Sequence, residues 1–218
     1  MTEFSIAYQV LIWAIPAVFA ITLHEVGHGL VAKILGDSTA EDMGRLTINP
    51  IKHVDFLGTI LVPITMFYLS GFIFGWAKPV PINWNNLKNK KRDIALVALA
   101  GPFANLLMII FWLFIAIFFV NFSEQGSGTE NLFIFYMAWA GIIINFLLMI
   151  INLLPIPPLD GSRVLFSFLP SGAAFKYLKL EPYGLLILVI LLVTGILTKI
   201  IGPVMAAFQE FIKILILG

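Results

Sequence analysis

"AYQVLIWAIPAVFAITLHEVGHGLVAKIL" runs from Ala7 to Leu35, and its reading decides the fold. A helical membrane span needs about 20 mainly apolar residues, and this stretch is long and apolar enough to be one. Between Glu3 and Lys33 its only acidic, basic or imidazole side chains are His24, Glu25 and His28. The chain has 3 histidines, and two of them stand here on one helical turn. A charged residue at mid-membrane costs about 2.5–3.5 kcal/mol on insertion scales, so such residues are functional by default. A leucine would fill a packing role at no such cost.

The rest of the chain has the same solvent preference. Of its 218 residues 60% are hydrophobic and 11% charged, with a mean hydropathy of +1.00. Soluble domains carry about 25% charged residues, so the main solvent here is lipid. A net charge of +1 gives no reason to expect nucleic acid as a partner. With no cysteine there is no disulfide framework, thiolate nucleophile or thiolate metal site. "MTEFSIAYQ" lacks a basic start and a small-residue cleavage site follows nowhere near, so the first span is expected to be retained.

Three further spans are expected, at Ile94–Phe122, Leu132–Leu154 and Tyr183–Leu197. Leu57–Trp76 is apolar but carries Pro63 and three glycines, and Pro203–Gly218 is short and holds Gln209, Glu210 and Lys213. The latter reads as a final span or as a helix lying in the interface. The expectation is an all-α polytopic membrane protein, a helical bundle of about 4–6 transmembrane segments. No repeat and no separate soluble domain is visible, so residues 1–218 read as one integral-membrane domain. Lys78–Asp93 holds five Lys/Arg, and Arg163, Lys176 and Lys179 follow the third span. Asn121–Asn131 holds two glutamates and no Lys/Arg. The positive-inside rule places the first two stretches in the cytoplasm and the acidic one outside.

"HEVGH", His24–His28, fits the pattern H-E-x-x-H. Residues four apart on a helix share a face, so both imidazoles reach one ion at zinc–nitrogen distances of about 2.0–2.1 Å. The glutamate, one residue on, is placed to take a proton from a metal-bound water. The motif lacks a third ligand. Asp160, in "NLLPIPPLDG" (Asn152–Gly161), follows a charge-free run and three helix-breaking prolines. On spacing alone it reads equally as a ligand and as a plain Asp-Gly turn or helix cap.

"HEVGH", "AGPFAN" (Ala100–Asn105) and "NLLPIPPLDG", in that order, resemble the site-2 protease family of intramembrane zinc metalloproteases. "GRLTINPIKHVDFLGT" and "FGWAKPVPIN" look like a compact prokaryotic subgroup of it without PDZ or CBS domains. The resemblance covers the chain from the first span to Arg163 and implies a catalytic core at about 7–163, with C-terminal helices at about 183–218. It implies that His24, His28 and Asp160 ligate one Zn2+ and that Glu25 is the catalytic base and acid. Asn105 and Asn152 match polar positions of the family and are candidates to bind substrate or the oxyanion.

For His28 and Asp160 to meet, the first span must exit on the cytoplasmic side, so the N-terminus lies outside. Leu57–Trp76 must then dip into the membrane and return. Members of the family have a re-entrant β-hairpin at this place, and "GRLTI" looks like a short strand of it. His53, in this region, is expected to be a surface or interfacial residue and no ligand. The implied function is hydrolysis of peptide bonds within or near transmembrane segments of membrane proteins, in a prokaryotic inner membrane, with the active site open to the cytoplasm. Two rivals are a metal-binding transporter, which needs no glutamate beside the first histidine, and a catalytically silent scaffold that binds transmembrane segments. Nothing in the chain speaks to its oligomeric state.

Overall fold

The computed structural model describes residues 4–62, 65, 68, 78–123 and 129–217. Three long helices carry the fold: α1 (Ile6–Ile34), then, after the short α2 (Thr39–Asp42), α3 (Lys90–Ser123) and α4 (Thr129–Asn152). All three are long and apolar enough to cross a membrane. They pack on one another, and α5 (Asp160–Phe168) packs on α3. Two shorter helices, α6 (Ser171–Leu178) and α7 (Gly184–Val193), lead to the last, α8 (Ile196–Leu217).

These helices are apolar on every side, so the sorting of residues is by size and polarity. On α1, Ile12, Pro16, Ala20, His24, His28 and Ala32 are buried at four-residue intervals, one stripe facing the bundle. Its large residues Ile6, Trp13, Phe19 and Ile34 point outward and are exposed. On α3, Phe103, Phe111, Phe114 and Phe118 are likewise exposed, while Ala100, Asn105 and Ala116 are buried. Water would not tolerate that outward face, and lipid does. Small inward residues let the backbones approach: a Cβ on Gly141 of α4 would stand 2.6 Å from Trp112 Cδ1 of α3. Trp112, Ile109 and Ala116 form a core with Ala138 and Ile142 of α4 and Ile212 and Ile216 of α8.

Among the described residues between α1 and α3 the chain is mostly irregular but tied down. Gly36 turns it at φ 115°, and Asp37, fully buried, receives the backbone N–H of Asn83 (2.8 Å), the Asn86 amide (2.8 Å) and the Thr39 hydroxyl (2.5 Å). Arg45 donates to the carbonyls of Lys78 (2.9 Å) and Pro79 (3.2 Å). Asp93 begins α3 by accepting from the backbone N–H of Asn89 at 2.7 Å, a helix-start cap.

Two expectations are corrected, and a third falls mostly outside the described residues. Gly44–Ile48, expected as a strand, is a turn followed by irregular chain, and no strand occurs among the described residues. Its backbone is held by Arg45 and local turns instead of a ladder. The remainder of the expected hairpin, Leu57–Trp76, is described only at its start, a π-helix at Phe56–Leu61, and otherwise lies outside the described residues. The span expected at Tyr183–Leu197 is not one helix: the chain breaks after α7 at Gly195, φ +73°, and α6–α7 meet α8 at a 72° bend. Glycine alone adopts that conformation without penalty. The described residues therefore hold three candidate spans, or four if the bent pair counts as one.

Candidate metal centre

His24 and His28 stand on the buried stripe of α1, their rings edge to face with centroids 4.7 Å apart. Asp160, the first residue of α5, comes to them from beyond α4. Its Oδ2 lies 3.1 Å from His24 Nε2, and its Oδ1 lies 3.3 Å from His28 Nε2. The two Nε2 atoms are 3.1 Å apart. One ligand atom from each of the three residues fits within 4.8 Å of the others.

The outer nitrogens decide what the inner ones can do. His28 Nδ1 faces the backbone carbonyl of Val97 at 2.7 Å, so it is the N–H donor. His24 Nδ1 faces the Asn105 amide oxygen at 2.6 Å and donates there. Both neutral rings then present lone pairs at Nε2, toward each other and toward a carboxylate. Only a cation between them, a proton or a metal ion, reconciles three converging lone pairs. Two imidazoles and an anionic carboxylate, with both outer nitrogens locked by hydrogen bonds, suit zinc.

Two glycines make room. A Cβ on Gly101 of α3 would stand 2.6 Å from His24 Nε2, so the glycine of "AGPFAN" leaves open the space that the ligands share. A Cβ on Gly161 would stand 2.6 Å from the Leu154 carbonyl oxygen. Glycine there lets the start of α5 press against the end of α4 and aims Asp160 at α1. Asp160 therefore makes no side-chain cap; the N-cap position belongs to Leu159.

Glu25, half-buried, accepts the backbone N–H of Val80 at its Oε2, 2.6 Å. Asn105 is fully buried and turned onto His24, its amide nitrogen donating to the Ala20 carbonyl (3.2 Å) and to Asn145 Oδ1 (2.9 Å). That leaves it no free group for substrate. Asn152 donates to the Leu148 carbonyl of its own helix at 3.0 Å. His53 is not on the surface: it is 2% exposed, with Nε2 against the Thr47 carbonyl at 2.9 Å, and it stands outside the ligand cluster. The 47–53 segment folds back so that Thr47 meets the ring, and the Lys78 N–H ties it down at the His53 carbonyl, 3.0 Å. Three residues at this centre escaped the sequence reading: Gly101, Val80 and Asn145. Only Asn145 left a signal, an amide inside the charge-free run 132–159.

The sequence model of Peptidase family M50 matches residues 120–195. The "Putative zinc metalloprotease YwhC" of Bacillus subtilis is 36% identical over 200 residues, 91% of this chain and 87% of that protein. The "Putative zinc metalloprotease Rip2" of Mycolicibacterium smegmatis is 30% identical over 197 residues, 88% of this chain and 70% of that protein. Its namesake in Mycobacterium tuberculosis is 28% identical over 152 residues, 67% and 52% of the two chains. No solved structure matches the chain.

Proposed function

The chain belongs to peptidase family M50, the site-2 protease family of intramembrane zinc metalloproteases, and on that premise we propose that His24, His28 and Asp160 hold its zinc and that Glu25 moves the proton in peptide hydrolysis. The observation that carries this reading is the convergence of both Nε2 atoms and the Asp160 carboxylate from elements far apart in the chain. Zinc held there would polarise a scissile carbonyl and bring a water's pKa to about 7. Glu25, one residue beyond the first ligand in an H-E-x-x-H pattern, accepts the proton of the attacking water and delivers it to the leaving amine. The Val80 N–H holds Oε2, which leaves Oε1 for that transfer.

The substrate in this reading is a transmembrane protein whose helix unwinds locally, because a helical peptide bond is shielded by its own hydrogen bonds. Asn152 is the remaining candidate to bind the substrate or the oxyanion. Residues 1–218 act as one membrane domain with its core at about 7–163. The N-terminus lies outside a prokaryotic inner membrane, and the site opens to the cytoplasm, the side of Lys33 and Lys78–Asp93.

The test is cleavage of transmembrane model substrates by the purified chain in detergent, with bound metal measured in the same samples. Glu25→Gln is expected to abolish cleavage and keep zinc, and Asp160→Ala to lose zinc. Full zinc occupancy and activity in Asp160→Ala would overturn the ligand assignment. Firmly bound zinc with no cleavage of any substrate by the unaltered chain would favour the silent scaffold.

A further inference from the structure

Asn145 sits in the middle of α4 with no exposed surface. A buried amide in an apolar span costs free energy unless its groups are bonded, and the way this one is bonded has a direction. Its Nδ2 lies 2.8 Å from the Gly141 carbonyl, which can only accept. The amide oxygen is thereby turned to Asn105, whose Nδ2 donates to it at 2.9 Å. The Ala20 carbonyl, also a pure acceptor, takes the other hydrogen of Asn105 at 3.2 Å. Asn105 can then present only its oxygen to His24 Nδ1, 2.6 Å away. His24 must carry its proton on Nδ1, which keeps the Nε2 lone pair facing Asp160.

We propose that Asn145 is a positioning residue of the metal centre: acting through Asn105, it fixes His24 in the one tautomer that can ligate zinc. The inference rests on the ligand reading above. Without Asn145, only the longer bond to Ala20 holds the Asn105 amide. A flipped amide offers its NH2 to His24 Nδ1, and the ring proton moves to Nε2, where it blocks the metal. His28 has no such dependence, because its Nδ1 faces a backbone carbonyl that cannot flip. The effect is therefore confined to one of the two histidines.

The experiment uses the full chain in detergent, with zinc affinity measured by chelator competition. Ring-nitrogen NMR of the zinc-free, histidine-labelled protein at mildly alkaline pH is the second readout. With 3 histidines in the chain the spectrum is assignable by single substitution. Asn145→Leu is expected to weaken zinc binding by about tenfold or more and to move His24 toward the Nε2–H pattern while His28 keeps its Nδ1–H. Asn145→Asp keeps an oxygen in that slot to accept from the Asn105 amide and should restore both readouts. If the leucine variant does not fold, Asn145→Ala removes the same amide with less volume. Removal of the amide with wild-type affinity and unchanged His24 signals overturns the proposal. So does an aspartate variant that fails as leucine does, or a shift of both rings together. Zinc retained in Asp160→Ala would sink the ligand reading instead, and the tautomer shift would still be read independently.

Discussion

At the scale of single residues, the centre depends on what is missing as much as on what is present. Gly101 has no side chain where one would meet both imidazoles. Gly101→Ala should favour the helix, since alanine exceeds glycine in helix propensity by about 1 kcal/mol. It should nevertheless weaken zinc binding by about tenfold or more, because the methyl displaces His24 from its ligand position. Zinc titration of the purified variant beside its thermal unfolding separates the two effects; unaltered zinc affinity would contradict the geometry. Gly161 acts on the third ligand in the same way, by letting α5 start against the Leu154 carbonyl. "HEVGH" could be read from the sequence because four-residue spacing on a helix is local geometry. Gly101 could not be, since a glycine carries no sign of which ring will lie over it.

At the scale of elements, the bundle is set by close approach. Gly141 faces Trp112 with no room for a methyl group. Gly141→Ala should cost about 1–3 kcal/mol through overpacking, read as a lower unfolding temperature in detergent. Gly195 governs the other end of the chain, where φ +73° separates α7 from α8. Gly195→Ala should destabilise by about 1–2 kcal/mol and leave zinc content unchanged, since the break makes no contact with the ligands. An unfolding temperature equal to wild type would mean that the bend is not required. Hydropathy identified α1, α3 and α4 as spans because about 20 apolar residues in a row have few other uses. It misjudged Tyr183–Leu197, since one residue's left-handed backbone divides a run that hydropathy averages over.

At the scale of the whole molecule, polar connections tie the segment that carries Val80, whose N–H meets Glu25, back to the end of α1. Asp37 is their hub, receiving the backbone of Asn83 and the side chains of Thr39 and Asn86. Burial opposes its ionisation, and those donors outweigh burial, so its folded pKa lies below the usual value. A group whose folded pKa is depressed stabilises fully above its unfolded pKa, about 3.9 for Asp, and loses that contribution as pH falls through the folded pKa. Thermal unfolding should therefore drop in acid below about pH 4, and Asp37→Asn should be less stable at neutral pH with a flatter acid limb. An acid limb unchanged by Asp37→Asn would remove Asp37 from that role. Orientation can be read directly because the chain has no cysteine. Ser38→Cys should be labelled by an impermeant thiol reagent only from the cytoplasmic side, and Glu130→Cys only from outside; the reverse pattern would overturn the proposed sidedness. The sequence by itself determined that the protein lives in lipid and singled out His24, Glu25 and His28, because an ionisable group in an apolar run has a cost only function offsets; on its own spacing Asp160 read equally as a turn, and the family resemblance added it to them. Tertiary structure alone decided how those groups are held: Val80 on Glu25, the Asn145–Asn105 pair on His24, Gly101 beside both rings. Those partners lie 55 to 121 residues from the groups they serve or act through absence, and no local pattern records which atom will arrive there.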